Sequence, residues 1–137
     1  MAKALAPEIS TWPEENAQLI GSACGKCEFV TFPAQDCCPK CGSIGMAEKL
    51  LPRTGTLVAW TVQGFPPGAP YIGPVGDDFS PFGVGLVELD GVVRVEGRLT
   101  ESDPAALDFG QKVELTMIPF ATDADGEEIV TYAFAPA

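Results

Sequence analysis

All five cysteines of the chain lie in one stretch, CGKCEFVTFPAQDCCPKCG, which opens at Cys24 and closes just after Cys41. Two Cys-x-x-Cys pairs can be written in it, Cys24/Cys27 and Cys38/Cys41. A tetrahedral zinc ion takes four soft ligands at about 2.3 Å, and each pair offers two thiolates from one tight knuckle. In CPKCG, Pro39 presets φ for the knuckle and Gly42 can take the positive φ that lets the chain leave it. The stretch between Cys27 and Cys38 is long enough for a short hairpin, for which FVTF supplies β-type residues. Four thiolates leave no open coordination position for an activated water, so such a site holds the fold rather than performs catalysis. Iron on the same ligands would carry electrons, but the chain holds no flavin or nicotinamide fingerprint to go with it. Cys37 is the spare thiol: using it instead of Cys38 would make a Cys-x-x-x-Cys pair. As a nucleophile it would lack any histidine to activate it.

There is no histidine anywhere in the 137 residues. That removes Ser-His-Asp and Cys-His arrangements, histidine-bearing zinc sites and the usual general base near neutral pH. The formal charge of −11 repels phosphate backbones and anionic lipid, which argues against nucleic-acid or membrane partners. No apolar run approaches the roughly 20 residues of a membrane span, and MAKALAPEIS lacks a signal-peptide core. A cytoplasmic protein with reduced thiols is therefore expected. The stretch from Ser22 to Gly55 carries Lys26, Lys40, Lys49 and Arg53 against Glu28, Asp36 and Glu48, while the rest of the chain is strongly acidic. An anionic ligand such as a coenzyme A nucleotide would go to that cysteine-bearing stretch.

The elements that must position the cysteines follow from pattern. STWPEENAQLIG reads as a short helix, with Thr11 and Glu14 as a capping box and Pro13 in the first turn. Trp12, at its start, can fill a local core or face a partner. After the cluster the apolar period becomes two. GTLVAWTVQGF (55–65) reads as a strand apolar on both faces. FGVGLVELD (82–90) and VVRVEGRLT (92–100) meet at the hairpin signal Asp90-Gly91. KVELTMIPF (112–120) and EEIVTYAFAP (127–136) complete five strands, the number of an OB-fold barrel. The proline-rich loop 66–81 is too long for a hairpin turn. Its Tyr71, Ile72, Val75 and Phe79 suit a partner or ligand contact.

Taken in order, the two knuckles, CPKCGS, TGTLVAWTV, FGVGLVELDGVVRVEGRL, FGQKVEL and the terminal FAP resemble the zinc-ribbon OB-fold proteins of the domain-of-unknown-function 35 (DUF35) family over essentially the whole chain. The resemblance implies a mainly β fold with a short N-terminal helical segment (1–21), a rubredoxin-like zinc ribbon (22–53) and a C-terminal five-stranded OB-fold barrel (54–137). It implies structural zinc on Cys24, Cys27, Cys38 and Cys41. It also implies a non-catalytic accessory subunit of a thiolase-fold enzyme, a thiolase or aldolase acting on acyl-CoA, whose catalytic residues lie in the partner. Lys26, Lys40, Trp12, Tyr71 and Phe79 are the candidate contacts with CoA or the partner. The chain departs from the family pattern in two places: Glu28 stands where a glycine usually follows the first knuckle, and Pro33-Ala34-Gln35 replaces Pro-Pro-Arg. The alternatives are an OB protein for single-stranded nucleic acid and an iron-bearing electron carrier.

Overall fold

The computed structural model describes residues 2–69 and 71–137. Met1, at the head of segment 1–21, and Pro70, inside the loop 66–81, lie outside the described residues. Among the described residues nine strands follow in chain order: β1 (Ala2–Ala4), β2 (Ile20–Ala23), β3 (Val30–Thr31), β4 (Ala47–Leu50), β5 (Thr54–Gln63), β6 (Phe82–Leu89), β7 (Val93–Leu99), β8 (Lys112–Thr122) and β9 (Glu128–Pro136). Among the described residues the only helical elements are three 3₁₀ turns, at Pro7–Ile9, Gly76–Asp78 and Pro104–Ala106.

Period-two side chains close β5 to β9 into a barrel. β5 pairs with β6, β6 with β7, β7 with β9 in parallel, β9 with β8, and β8 returns to β5. This is the five-stranded OB-fold barrel. Along β7, Val93, Val95 and Leu99 are buried while Arg94 and Glu96 face out. Asp90 and Gly91 both take positive φ, 56° and 67°, as a type I′ turn between β6 and β7 requires. Leu57, Val87, Leu89, Val113, Leu115 and Phe134 fill the interior almost without exposure. Each such side chain contributes roughly 1.5–3 kcal/mol by leaving water.

Three expectations about local structure need correction. The segment around residues 11–21 is no α-helix. Its buried residues are Ala17, Leu19 and Gly21, spaced by two rather than by a helical turn. The Thr11 hydroxyl accepts from the Gln18 N–H (2.9 Å) and the Thr11 N–H donates to the Gln18 carbonyl (2.9 Å). With Ser10 bridged to Leu19, these bonds close a loop instead of capping a helix. FVTF does not form a hairpin between the knuckles either; Val30 and Thr31 fold back on β2 around the first knuckle. Finally, β5 is not buried on both faces. Leu57 is its one buried residue, and beyond the irregularity between Leu57 and Ala59 the strand stays paired with β6, with Trp60 half-buried against the core and Ala59 and Thr61 exposed. Trp60 there packs on the exposed Phe109, ring centroids 6.2 Å apart.

Strands β3, β2 and β4 form a separate three-stranded sheet with β2 in the centre. It has no core of its own: Leu19, Val30 and Leu51 belong to the same apolar cluster as the barrel residues. Leu51 N–H donates to Leu19 O (2.9 Å), and Gln18 Nε2 donates to Leu51 O (3.0 Å). Arg53 pins the joint. Its guanidinium donates to Ala17 O (2.5 Å) and Leu115 O (2.9 Å) and pairs with Glu114 at 3.6 Å. Hydrogen bonds from a charged donor to otherwise unpaired carbonyls contribute about 1.5–3 kcal/mol.

The two parts should therefore unfold together. Leu51→Ala should cost about 2–5 kcal/mol. With Trp12 reporting the loop before the ribbon and Trp60 the barrel, single-tryptophan variants Trp12→Phe and Trp60→Phe should give coincident urea transitions. Adding Arg53→Met should lower both midpoints. Transitions that are already separate with Arg53 intact would show that the joint does not couple the two parts.

Candidate metal centre

The two knuckles follow one backbone plan. In the first, the Cys24 N–H donates to Phe29 O (2.9 Å) and the Glu28 N–H to Cys24 O (2.9 Å). In the second, the Cys38 N–H donates to Ser43 O (2.8 Å) and the Gly42 N–H to Cys38 O (2.9 Å). The flanks repeat as well: Ala23 pairs with Val30, and Cys37 with Ile44. By this correspondence Cys37 occupies the place of Ala23, one residue outside the knuckle. Its exposed thiol points to Gly42 O, 3.7 Å away.

The plan brings four sulfurs together. The Sγ atoms of Cys24, Cys27, Cys38 and Cys41 all lie within 4.8 Å of one another. Cys24 Sγ is 3.6 Å from Cys41 Sγ, and Cys27 Sγ is 3.6 Å from Cys38 Sγ. A tetrahedron of sulfurs around zinc at about 2.3 Å has edges of about 3.8 Å, so the donor set fits a four-thiolate ion. The leading cysteine of each knuckle is buried, Cys27 is half-buried and Cys41 is exposed.

Backbone and hydroxyl donors already favour negative charge here. The Ser43 hydroxyl, 3.2 Å from Cys41 Sγ, and the Ser43 N–H hold the Cys41 thiol down to about 6. The N–H groups of Cys27 and Lys26 lower Cys24. The Phe29 N–H acts in the same direction on Cys27, but burial and the three neighbouring sulfurs outweigh it and push that thiol up to about 12. Without a cation the cluster cannot carry four charges; with one, every sulfur has a reason to ionise. Ser43 was not singled out from sequence, because its role follows only from its match with Phe29 in the repeated plan.

The remaining candidate contacts do not form one constellation. Lys26 lines a cleft of about 290 Å³ with Ser43, Ile44 and Met46, and Lys40 is exposed in the second knuckle. Trp12 is half-buried in the loop before β2. Tyr71 and Phe79 lie against the barrel instead, edge-on to Phe120 (5.7 Å) and Phe82 (6.1 Å).

The correspondence also explains the departure at Glu28. It takes the place of Gly42 and has φ 65°, against 79° at Gly42. A side chain in this left-handed region costs about 1–2 kcal/mol. Glu28→Gly should therefore raise stability by about 0.5–1 kcal/mol, after the extra chain entropy of glycine is counted. Gly42→Ala should lower it by about 1 kcal/mol. Denaturant melts of metal-loaded protein measure both, and a destabilised Glu28→Gly would contradict the backbone account.

Comparison with known proteins gives the same two parts. Residues 17–46 match the model of the ChsH2 rubredoxin-like zinc ribbon domain, and residues 48–117 that of the ChsH2 C-terminal OB-fold domain. A DUF35 domain-containing scaffold protein of Pyrococcus furiosus is 32% identical over 89% of this chain and 85% of its own. One from Methanothermobacter thermautotrophicus is 28% identical over 92% of each. Among solved structures, a chain of the Ltp2-ChsH2(DUF35) aldolase is similar with a TM-score of 0.63 and 25% identity, over 87% of this chain and 84% of that one. A DUF35 protein from Sulfolobus solfataricus shares the fold at 14% identity and a TM-score of 0.50. With its paired knuckles, closed five-stranded barrel and these relatives across nearly its whole length, the chain belongs to the DUF35 family of ChsH2-type zinc-ribbon and OB-fold proteins.

Proposed function

We propose that this chain is a cytoplasmic, non-catalytic accessory subunit of a thiolase-fold enzyme, a thiolase or aldolase that makes or breaks carbon–carbon bonds on an acyl-CoA. The observation that carries the reading is the likeness, over most of both chains, to the chain solved as part of the Ltp2-ChsH2(DUF35) aldolase. The scaffold-protein relatives support it. So does the chemistry of the chain itself: no histidine, and a sulfur cluster whose four donors would leave a bound ion no free position. No helix among the described residues is long and apolar enough to cross a membrane.

Cys24, Cys27, Cys38 and Cys41 would hold one zinc ion, which supplies folding free energy to the ribbon and no reactive water. The partner is a thiolase-like catalytic subunit. The long β5–β6 connection is the contact surface this reading favours, because Phe65, Ile72 and Val75 are 69%, 51% and 59% exposed there. Exposed apolar side chains that gather into one patch mark a contact face.

Two experiments test the proposal. Metal analysis should find one zinc per chain, retained in Cys37→Ser and lost in Cys38→Ser; a red, redox-active product would replace zinc by iron. Co-expression with a thiolase-fold subunit encoded beside it should yield a stable complex. A Phe65→Ser/Ile72→Ser/Val75→Ser variant with unchanged melting temperature should bind that subunit at least about tenfold more weakly. A partner that is soluble and fully active alone, with no complex eluting, would refute the accessory role.

A further inference from the structure

The outer face of the barrel carries a second site, built around Arg98. This residue stands at an outward position of β7, half-buried, with its guanidinium carbon 3.9 Å from the centroid of the Phe82 ring and 5.8 Å from that of Phe120. Tyr71 packs edge-on against Phe120 and Phe79 edge-on against Phe82, so the rings brace one another around the cation. A groove of about 490 Å³ opens over it, walled by Leu5, Tyr71, Phe82, Phe120 and Tyr132. That is the size of a small-molecule site, apolar with few polar groups.

What marks the groove is an unused charge. The chain has eight basic residues against 19 acidic ones. Of the three arginines, Arg53 is engaged by Glu114 and two carbonyls and Arg94 by Glu88. Like Arg98, Lys26, Lys40, Lys49 and Lys112 lack a carboxylate partner among the described residues, but of these cations Arg98 alone lies over aromatic rings. Arg98, among the described residues, has neither a carboxylate partner nor a hydrogen-bond acceptor. Burial lowers its pKa, opposed by Tyr71, so its charge has lost part of its hydration without gaining an ion pair. The tyrosine hydroxyls are occupied, Tyr71 donating to Pro74 O (3.0 Å) and Tyr132 to Glu96 O (2.6 Å). The guanidinium is therefore the groove's strongest polar handle, and its planar edge suits bidentate pairing with a carboxylate.

We propose that this groove binds a small monocarboxylate with an apolar, ring-bearing body, the carboxylate on the free edge of Arg98 and the body against Tyr71 and Phe120. The one cation matches one negative charge, and Glu96 on the same rim opposes any more. A phosphate dianion would be left with excess charge beside Glu96. The inference does not depend on the accessory-subunit reading.

Titrating the isotope-labelled, metal-loaded full chain with 3-phenylpropionate, 3-phenylpropionamide and inorganic phosphate tests it by NMR. The carboxylate should bind with a Kd on the order of millimolar, as a fragment of that size does. It should move the Arg98 Nε and Gly97 amide resonances. The amide should bind at least about tenfold more weakly, for want of the charge-assisted bonds. Glu96→Gln should tighten binding and Arg98→Gln, melting as wild type does, should abolish it. Equal binding of acid and amide, tighter binding of phosphate, or shifts confined to the ribbon would overturn the assignment. Concentration-dependent shifts of the same resonances without any probe would assign the groove to a second copy of the chain, and equally overturn it.

Discussion

Four sulfur atoms held within 4.8 Å of one another come into conflict once more than one of them ionises, and a cation at their centre removes that conflict. Everything about the ribbon is arranged for this. Both knuckles aim N–H groups at sulfur, Ser43 adds a hydroxyl, and the positive φ at Glu28 and Gly42 turns the chain back at equal points. Sheets of this size bury too little apolar surface to be stable alone, and segments below about 40 residues ordinarily need a metal, a disulfide or a partner. The ribbon draws on two such supports, a donor set for a metal and a shared core with the barrel.

That sharing gives the fold its second constraint. Leu51, fully buried, and Arg53, bonded to both sides, sit on the short connection from β4 to β5. The chain passes from ribbon to barrel without a stretch of solvated linker. At the other end of the barrel the balance is reversed. There β5 and β6 are joined by a long loop that leaves Phe65, Ile72 and Val75 in water.

How much of this was legible in the sequence depended on how local the cause was. Period-two patterning located β6 to β9 within a residue or two, and Asp90-Gly91 marked its turn, because these signals sit in adjacent residues. Cysteine spacing singled out the four residues whose sulfurs converge, and left Cys37 outside for a reason that only the repeated hydrogen bonds make visible. The helix read at Thr11 failed because a capping pattern is weak against the pull of Leu19 into a core made by distant strands. β1 went unseen: three residues carry no period, and it exists only because β9 offers an edge and Asp123 a partner for Lys3. The Arg98 cluster was equally hidden, since Phe82 and Phe120 converge on it from two other strands and nothing in VVRVEGRLT announces them.

The joint at Leu51 and Arg53 has a mechanical meaning. A chain that links two bodies through a flexible tether gives each of them freedom, and loses that freedom again at every assembly. This chain has no slack between the four sulfurs and the outer barrel face. A partner that bound both the ribbon and the loop would meet them at a set distance and angle. The molecule behaves as a strut, whose orientation is fixed when it folds rather than when it is met.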